Sequence, residues 1–345
     1  MTSAPRLNYF LFLLFTIICL GVGTAALISP SVRGIAYAPV RDAVLPDFYL
    51  NPQARQSVHL IVAVPPALEA WVRSSAQEFT SQNPLISMDI VPLKGADASQ
   101  RLTAITGSPD VWIAESDWNR VVAGGIPFDA TGTVVAQDFF TWAASKNSRA
   151  GVPSALSWQA LAQTAAANPQ FRLGVPPAGS VEGMSACLSA AGEYFQTDSV
   201  TAAQINDVAF RNWLAGLLQA VPDLTRNPLD QITSRPPQVD AAFLLWSETR
   251  ALNEQDFLFQ AAEPVVLNYS LFTRSTWKDV TAEEAGLRRS AAGKFLGFLL
   301  NAKAQSALKL YGLSTAGQDY TVRVRPAGDD AIYALQFCWR NQGGA

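Results

Sequence analysis

The feature that most constrains this 345-residue chain is an alternation of apolar runs and helix-patterned segments that begins at Val58. Val58-His59-Leu60-Ile61-Val62-Ala63-Val64 is β-prone and apolar nearly throughout, which suits a parallel strand buried on both faces. Pro65-Pro66 ends it, and Pro66 is tolerated at a helix start, where its missing N–H costs nothing. Leu68, Trp71, Val72 and Phe79 then recur at helical spacing as far as Asn83-Pro84. Ile86 to Leu93 reads as a second strand, Ala98 to Ile105 as a short helix and Asp110 to Ala114 as a third strand. Ser116-Asp117 is placed to cap the helix after it. This β-α-β-α-β-α order is the signature of an α/β domain, a parallel sheet wrapped by helices.

A second unit of the same kind follows. Phe139 to Ser145 can form a strand, and Ser157 can cap a helix running to Asn168-Pro169. Phe171 to Val175 is a short strand, Pro176 to Ser180 a turn, and Val181 to Phe195 a helix. Another helix is expected over Ala202 to Ala220 and a proline-rich loop over Pro222 to Pro237. Val239 to Trp246 is an apolar strand, with Ser247-Glu248 opening a helix. Ser290 to Tyr311 is the clearest amphipathic helix, with Ala291, Phe295, Phe298, Leu299, Ala302 and Leu308 on one face.

Several functional classes are excluded. A hydrophobic content of 49% with 15% charged residues is not that of a disordered chain. Twenty-five basic against 28 acidic residues leave no basic surplus for nucleic acid. The chain has one histidine, His59, so a catalytic triad or a histidine metal site would have to be built on it; it reads as structural. Neither GxSxG nor HExxH is present, so a membrane-anchored hydrolase is disfavoured and no enzyme is expected. Cys19, Cys187 and Cys338 lack metal-ligand spacing, and neither a metal nor a cofactor is expected. Cys187 and Cys338 are open to two readings, a bridge in an exported protein or two small buried hydrophobes, the second being the commoner behaviour.

Tyr9 to Ile28 is a run of 20 residues without a charge, long enough to span the roughly 30 Å hydrocarbon core of a bilayer as a helix. A cleaved signal peptide has a shorter apolar core, although Gly23 and Ala25 offer small residues for a cleavage site. The length favours a retained anchor over residues 1–28, with the folded part extracytoplasmic. Residues 29–56, with Pro30, Pro39, Pro46 and Pro52, read as a semi-extended tether.

Four segments, in this order, resemble the type II solute-binding proteins of ABC importers, in particular the molybdate- and sulfate-binding group. VHLIVAVPPALEAWVRSSAQEFTSQNP is similar to that family's opening strand and helix, and GSPDVWIAESDW to its third-strand end. LGVPPAGSVEGM resembles its turn before a helix, and AAGKFLGFLLNAKAQSALKLYGL its terminal helix. The resemblance covers roughly residues 57–315. It implies two α/β lobes with a ligand cleft between them: lobe 1 from 57–139 and 264–345, lobe 2 from 140–263, with crossings near Phe140 and Pro264. It also implies an ABC permease as partner.

In such sheets ligands sit beyond the carboxyl ends of strands, where helix starts present unpaired N–H groups. Four loops qualify. They contain Pro66 and Ala67, then Ser116 and Asp117, then Gly179, Ser180 and Gly183, and finally Ser247 and Glu248. Each has a structural counter-reading: the serines as helix caps, the glycines as turn and packing residues, and Trp112 and Trp246 as core. Prolines in the first loop remove donors, and Glu115, Asp117, Glu182 and Glu248 crowd the rim, which points away from a small anion and toward a neutral or cationic solute. Trp112, Trp118 and Trp246 are candidates to stack on it. The expected function is capture of a small solute for ABC-type uptake by a membrane-tethered binding protein. The alternative is a signalling or assembly module that keeps the fold without a ligand.

Overall fold

A computed structural model of the chain describes residues 56–93, 102, 107–115, 121, 125–148, 150–151, 155–318 and 323–339. The apolar run 9–28, the tether up to residue 55, most of the helix expected at 98–105, and Ser116, Asp117 and Trp118 lie outside the described residues. No helix among the described residues is long and apolar enough to cross a membrane.

The first half follows the expected alternation. β1 (Val58–Val64) buries Leu60, Val62, Ala63 and Val64, while His59 stays exposed and hydrogen-bonds Ser87 Oγ at 2.9 Å. α1 (Pro66–Gln82) begins with Pro66 in its first turn and buries Leu68, Trp71, Val72 and Phe79, the spacing of one helical face. β2 (Ile86–Pro92) and β3 (Val111–Ala114) follow, and β1 pairs β3 in parallel with Val62 opposite Val111. Asp110, fully buried just before β3, accepts hydrogen bonds from Ile61 N (2.9 Å), Trp277 Nε1 (2.9 Å) and Arg288 Nη1 (3.0 Å).

The second half contains β4 (Thr133–Ser145), α2 (Trp158–Ala167), β5 (Leu173–Gly174), α3 (Val181–Phe195), β6 (Ser199–Val200), α4 (Ala202–Ile205) and α5 (Val208–Leu218). The single helix expected over 202–220 is split because Thr201 and Asp207 each cap a separate helix, accepting from the Gln204 and Phe210 N–H groups. The expected proline loop holds α6 (Pro228–Thr233), started by Asn227 as cap and Pro228 at its first position. β7 (Ala241–Leu245) leads into α7 (Trp246–Thr249), a single turn rather than a full helix.

β8 (Phe257–Thr273) is a 17-residue strand that local pattern conceals, because Glu263-Pro264 in its middle reads as a breaker. The pairing explains the tolerance. The β4/β8 register passes from Phe139↔Val266 directly to Thr141↔Ala261, so the proline backbone falls in an interrupted stretch of the ladder. The expected helix over 290–311 starts earlier, at the Thr281 cap, as α8 (Ala282–Leu299). It breaks at Asn301, which caps α9 (Ala302–Ala307), and a 3-10 turn over Leu308–Tyr311 and β9 (Ser314–Thr315) follow.

All but two short strands join one sheet in the order β2-β1-β3-β8-β4-β7-β5, with β9 added to β4. Two parallel sheets were the expectation; the structure instead joins them through an antiparallel centre, β3/β8/β4/β7, with parallel pairs toward each end. Residues His59–Ala345 cluster as one compact unit. On the β7 side the core packs Trp142 against Trp158 and Phe243 (both 4.8 Å) and Phe140 against Phe243 (4.7 Å). On the β1 side Trp112, 2% exposed, stacks on Phe272 at 5.4 Å, so it is a core residue. The tail packs against elements of the second half. β10 (Arg325–Pro326) pairs β6, α10 (Asp329–Cys338) packs on α3 and α4, and Cys338 is disulfide-bonded to Cys187 of α3.

Candidate functional site

The chemistry gathers where β4 and β8 cross the middle of the sheet. In an antiparallel ladder, residues directly opposite one another share a face. Ala136↔Tyr269 and Asp138↔Leu267 therefore place Asp138 and Tyr269 on one face. Ala114↔Ser270 puts Glu115, one residue further along β3, in line with Tyr269. Phe140↔Leu245 brings Ser247, at the start of α7, beside Asp138. The opposite face carries Gln137 and Asn268, hydrogen-bonded to each other at 2.6 Å, with Ser270 on the same side.

Asp138 is fully buried. Its Oδ1 accepts from Phe139 N–H at 2.8 Å, and Oδ2 lacks a hydrogen bond of normal geometry. Burial pushes its carboxyl up to about 7; Ser247 and the Phe139 N–H offset part of this, and the Glu248 charge adds to it. Tyr269 is also fully buried, and its hydroxyl has no partner. Burial raises its pKa, and the fields of Asp138, Glu115, Glu182 and Glu248 raise it further. One phenol thus lies within electrostatic reach of four carboxylates carried by four different elements. A buried polar atom left open is costly, on the order of 1–3 kcal/mol, and most native ones have a partner.

The structure sorts the expected site residues. Ser180 caps α3: its hydroxyl accepts from Gly183 N–H at 3.0 Å and donates to Pro177 O at 2.9 Å, so the backbone uses both of its capacities. Gly183 is a packing residue, since a Cβ there would lie 2.2 Å from Pro177 O. Gly179 is exposed with open space around it. Glu248 closes its own turn, accepting from Leu245 N–H (3.1 Å) and Asn227 Nδ2 (3.2 Å), while Ser247 faces Asp138. Pro66 and Ala67 are exposed at the carboxyl end of β1, two strands away from β8. Ser116 and Asp117 fall outside the described residues, immediately after Glu115. Trp246 is 39% exposed and stacks on Phe139 at 5.4 Å. Of the acidic rim, Glu115, Glu182 and Glu248 act electrostatically on Tyr269.

Sequence reasoning missed Asp138 and Tyr269 because it looked for binding groups in loops. A signal was present: Asp138 is the one charge in Val134-Val135-Ala136-Gln137-Asp138-Phe139-Phe140, a run that otherwise reads as buried strand. Elsewhere, an open groove of about 930 Å³ lies at the far end of β4, bordered by Ser145, Arg172, Asp240 and Asp256, and holds none of these groups. No group of three or more metal-ligating side chains occurs among the described residues.

Solved structures resemble this fold. A ferric binding protein from Campylobacter jejuni matches with a TM-score of 0.59 and 11% identity, covering 83% of this chain and 99% of that one. The Atu4243-GABA receptor matches at 0.58 and 13% identity, covering 84% and 98%. An ABC transporter protein from Clostridium perfringens matches at 0.57 and 14% identity, covering 82% and 98%. The chain therefore has the mixed α/β fold of these solved structures, among them a ferric binding protein and an ABC transporter protein. They do not single out the molybdate- and sulfate-binding group. No protein-family profile matches the sequence, and no curated protein matches it.

Proposed function

We propose that this chain is an extracytoplasmic solute-binding protein, tethered through residues 9–28, that captures a small solute and delivers it to an ABC-type permease. One observation carries the reading: Tyr269, fully buried with a partnerless hydroxyl, and Asp138, fully buried beside Ser247, sit on the two long strands in the field of Glu115, Glu182 and Glu248. A bound solute supplies the hydrogen bond the Tyr269 hydroxyl lacks. Glu115 and Ser247 lie just past the carboxyl ends of β3 and β7, the kind of place where open α/β sheets bind ligands.

In this reading lobe 1 comprises 57–139 and 264–318, and lobe 2 comprises 140–263 with the tail 323–339. The hinge is the interrupted β4/β8 ladder around Phe140 and residues 262–265, where few backbone bonds resist bending. In this reading Gly179, Ser247 and Glu248 border the cleft with Pro66 and Ala67, and Ser180 and Gly183 hold the start of α3 in place; Ser116 and Asp117 remain candidates from the sequence. A disulfide in the folded part agrees with an oxidising, extracytoplasmic compartment.

The test is thermal-shift screening of the purified chain against sugars, amino acids, amines and oxyanions, followed by small-angle scattering. A true ligand at a hundred times its Kd adds about 2.7 kcal/mol of stability and contracts the scattering envelope. A chain that neither melts higher nor contracts with any of these solutes speaks against the function.

A further inference from the structure

The partnerless Tyr269 hydroxyl and the Asp138 carboxyl beside Ser247 can each receive a hydrogen bond. Asp138 Oδ2 is an acceptor when ionised, and Tyr269 Oη accepts as well as donates. Around them stand Glu115 at the end of β3, Glu182 in the first turn of α3 and Glu248 in α7, with Ser247 beside Asp138. None of the ion pairs among the described residues takes Asp138 or Glu182. An anion entering here meets like charge from four elements. A polyol brings acceptors together with its donors and carries no charge to meet the carboxylates. An ammonium group brings three N–H donors, no acceptor and a positive charge.

We propose, building on the reading of this site as a solute-binding cleft, that its ligand is a primary amine whose ammonium group donates to Asp138 Oδ2 and Tyr269 Oη within the field of Glu115, Glu182 and Glu248. Asp138 has to be ionised to hold it. In the ligand-free protein burial keeps that carboxyl near 7, so at neutral pH the ammonium displaces a proton. The groups facing Asp138 and Tyr269 are the three glutamates and Ser247, and no basic side chain competes with the ligand in the shift of either. Affinity then weakens about tenfold for each pH unit below about 7 and levels off above about 8.

The experiment is titration calorimetry on the full chain in detergent micelles with n-butylamine, 1,4-diaminobutane, tetramethylammonium, maltose and sulfate, alongside scattering. The amines are expected to bind with that pH profile, and with a heat that varies with buffer ionisation because a proton is released. Tetramethylammonium, cationic but without N–H donors, is expected at least about tenfold weaker. Asp138→Asn should lower amine affinity about a hundredfold and Tyr269→Phe about tenfold. Should Asp138→Asn not fold, the pH profile of the natural chain and the Tyr269→Phe variant carry the same comparison. Maltose or sulfate binding with contraction, without amine binding, overturns the amine assignment and leaves the solute-binding function standing. Amine binding that ignores both pH and Asp138→Asn also overturns it. Silence toward every probe with an unchanged envelope counts against both.

Discussion

Asp138 shows how one buried carboxyl shapes the whole molecule's response to pH. Its folded pKa, about 7, lies above its unfolded value near 4. Between these values the folded state holds more protons than the unfolded one, so this group's contribution to stability falls as pH rises from about 4 through about 7. Asp138→Asn removes the buried charge. It is expected to leave the Tm near that of the natural chain at pH 4.5 and to raise it at pH 8, by on the order of 1–3 kcal/mol. Melting curves across that range check this, and a variant that melts lower at pH 8 contradicts it. Asp110 is likewise buried, but three donors reach its carboxyl. Asp110→Ala leaves the Ile61 N–H and Trp277 Nε1 without an acceptor while Arg288 keeps Glu284, and is expected to cost about 2–4 kcal/mol by chemical denaturation.

Elements are set here by caps and close approaches as much as by apolar pattern. Thr201, Asp207, Asn227, Thr281 and Asn301 each accept a backbone N–H and decide where a helix begins, which is why two long apolar segments resolve into separate helices. Asp207→Ala is expected to cost about 1 kcal/mol, read from the midpoint of urea unfolding. The start of α3 is stricter. Gly183 meets Pro177 O at a distance no Cβ can occupy, so Gly183→Val has to shift the turn that carries Ser180 and Glu182. We expect a loss of about 2–4 kcal/mol together with weakened ligand binding. A variant of natural stability and affinity argues against a rigid α3 start. Gln305 links elements in another way: its Nε2 donates to Val135 O and Leu299 O and its Oε1 accepts from Ala316 N–H, all at 2.8 Å, tying α9 to β4 and the β9 turn.

At the scale of the whole molecule, the Cys187–Cys338 bond closes a sequence separation of 151 residues and holds α10 against α3. Constraint of so long a loop in the unfolded chain is worth about 2–5 kcal/mol. Reduction, or Cys338→Ser, is expected to lower the melting temperature by that amount and to expose the α10 contacts to hydrogen exchange. Unchanged melting under reduction contradicts the estimate. The same bond belongs to the half of the sheet that moves with lobe 2 in the proposed closure, so it does not lock the β4/β8 hinge. Scattering of the oxidised protein should therefore still contract on ligand binding.

Much of this was legible in the residues. Period and caps identify β1, α1, β2, β3, α2 and α3 close to their ends, because each buries a contiguous local face. Loop chemistry points to Ser247, Glu248 and the acidic rim that meets Tyr269. What stayed hidden depends on partners distant in sequence. β8 tolerates Glu263-Pro264 only because β4 skips those positions, and that bulge exists only once the two strands pair. Asp138 and Tyr269 become a pair only through the same register, 131 positions apart in the chain. Local sequence determines which segments are strands and helices, since propensity and burial of one face act over a few residues. Tertiary structure alone decided that two wound halves share one sheet and that their charges meet on one face, since register and long-range burial are properties of the assembled fold.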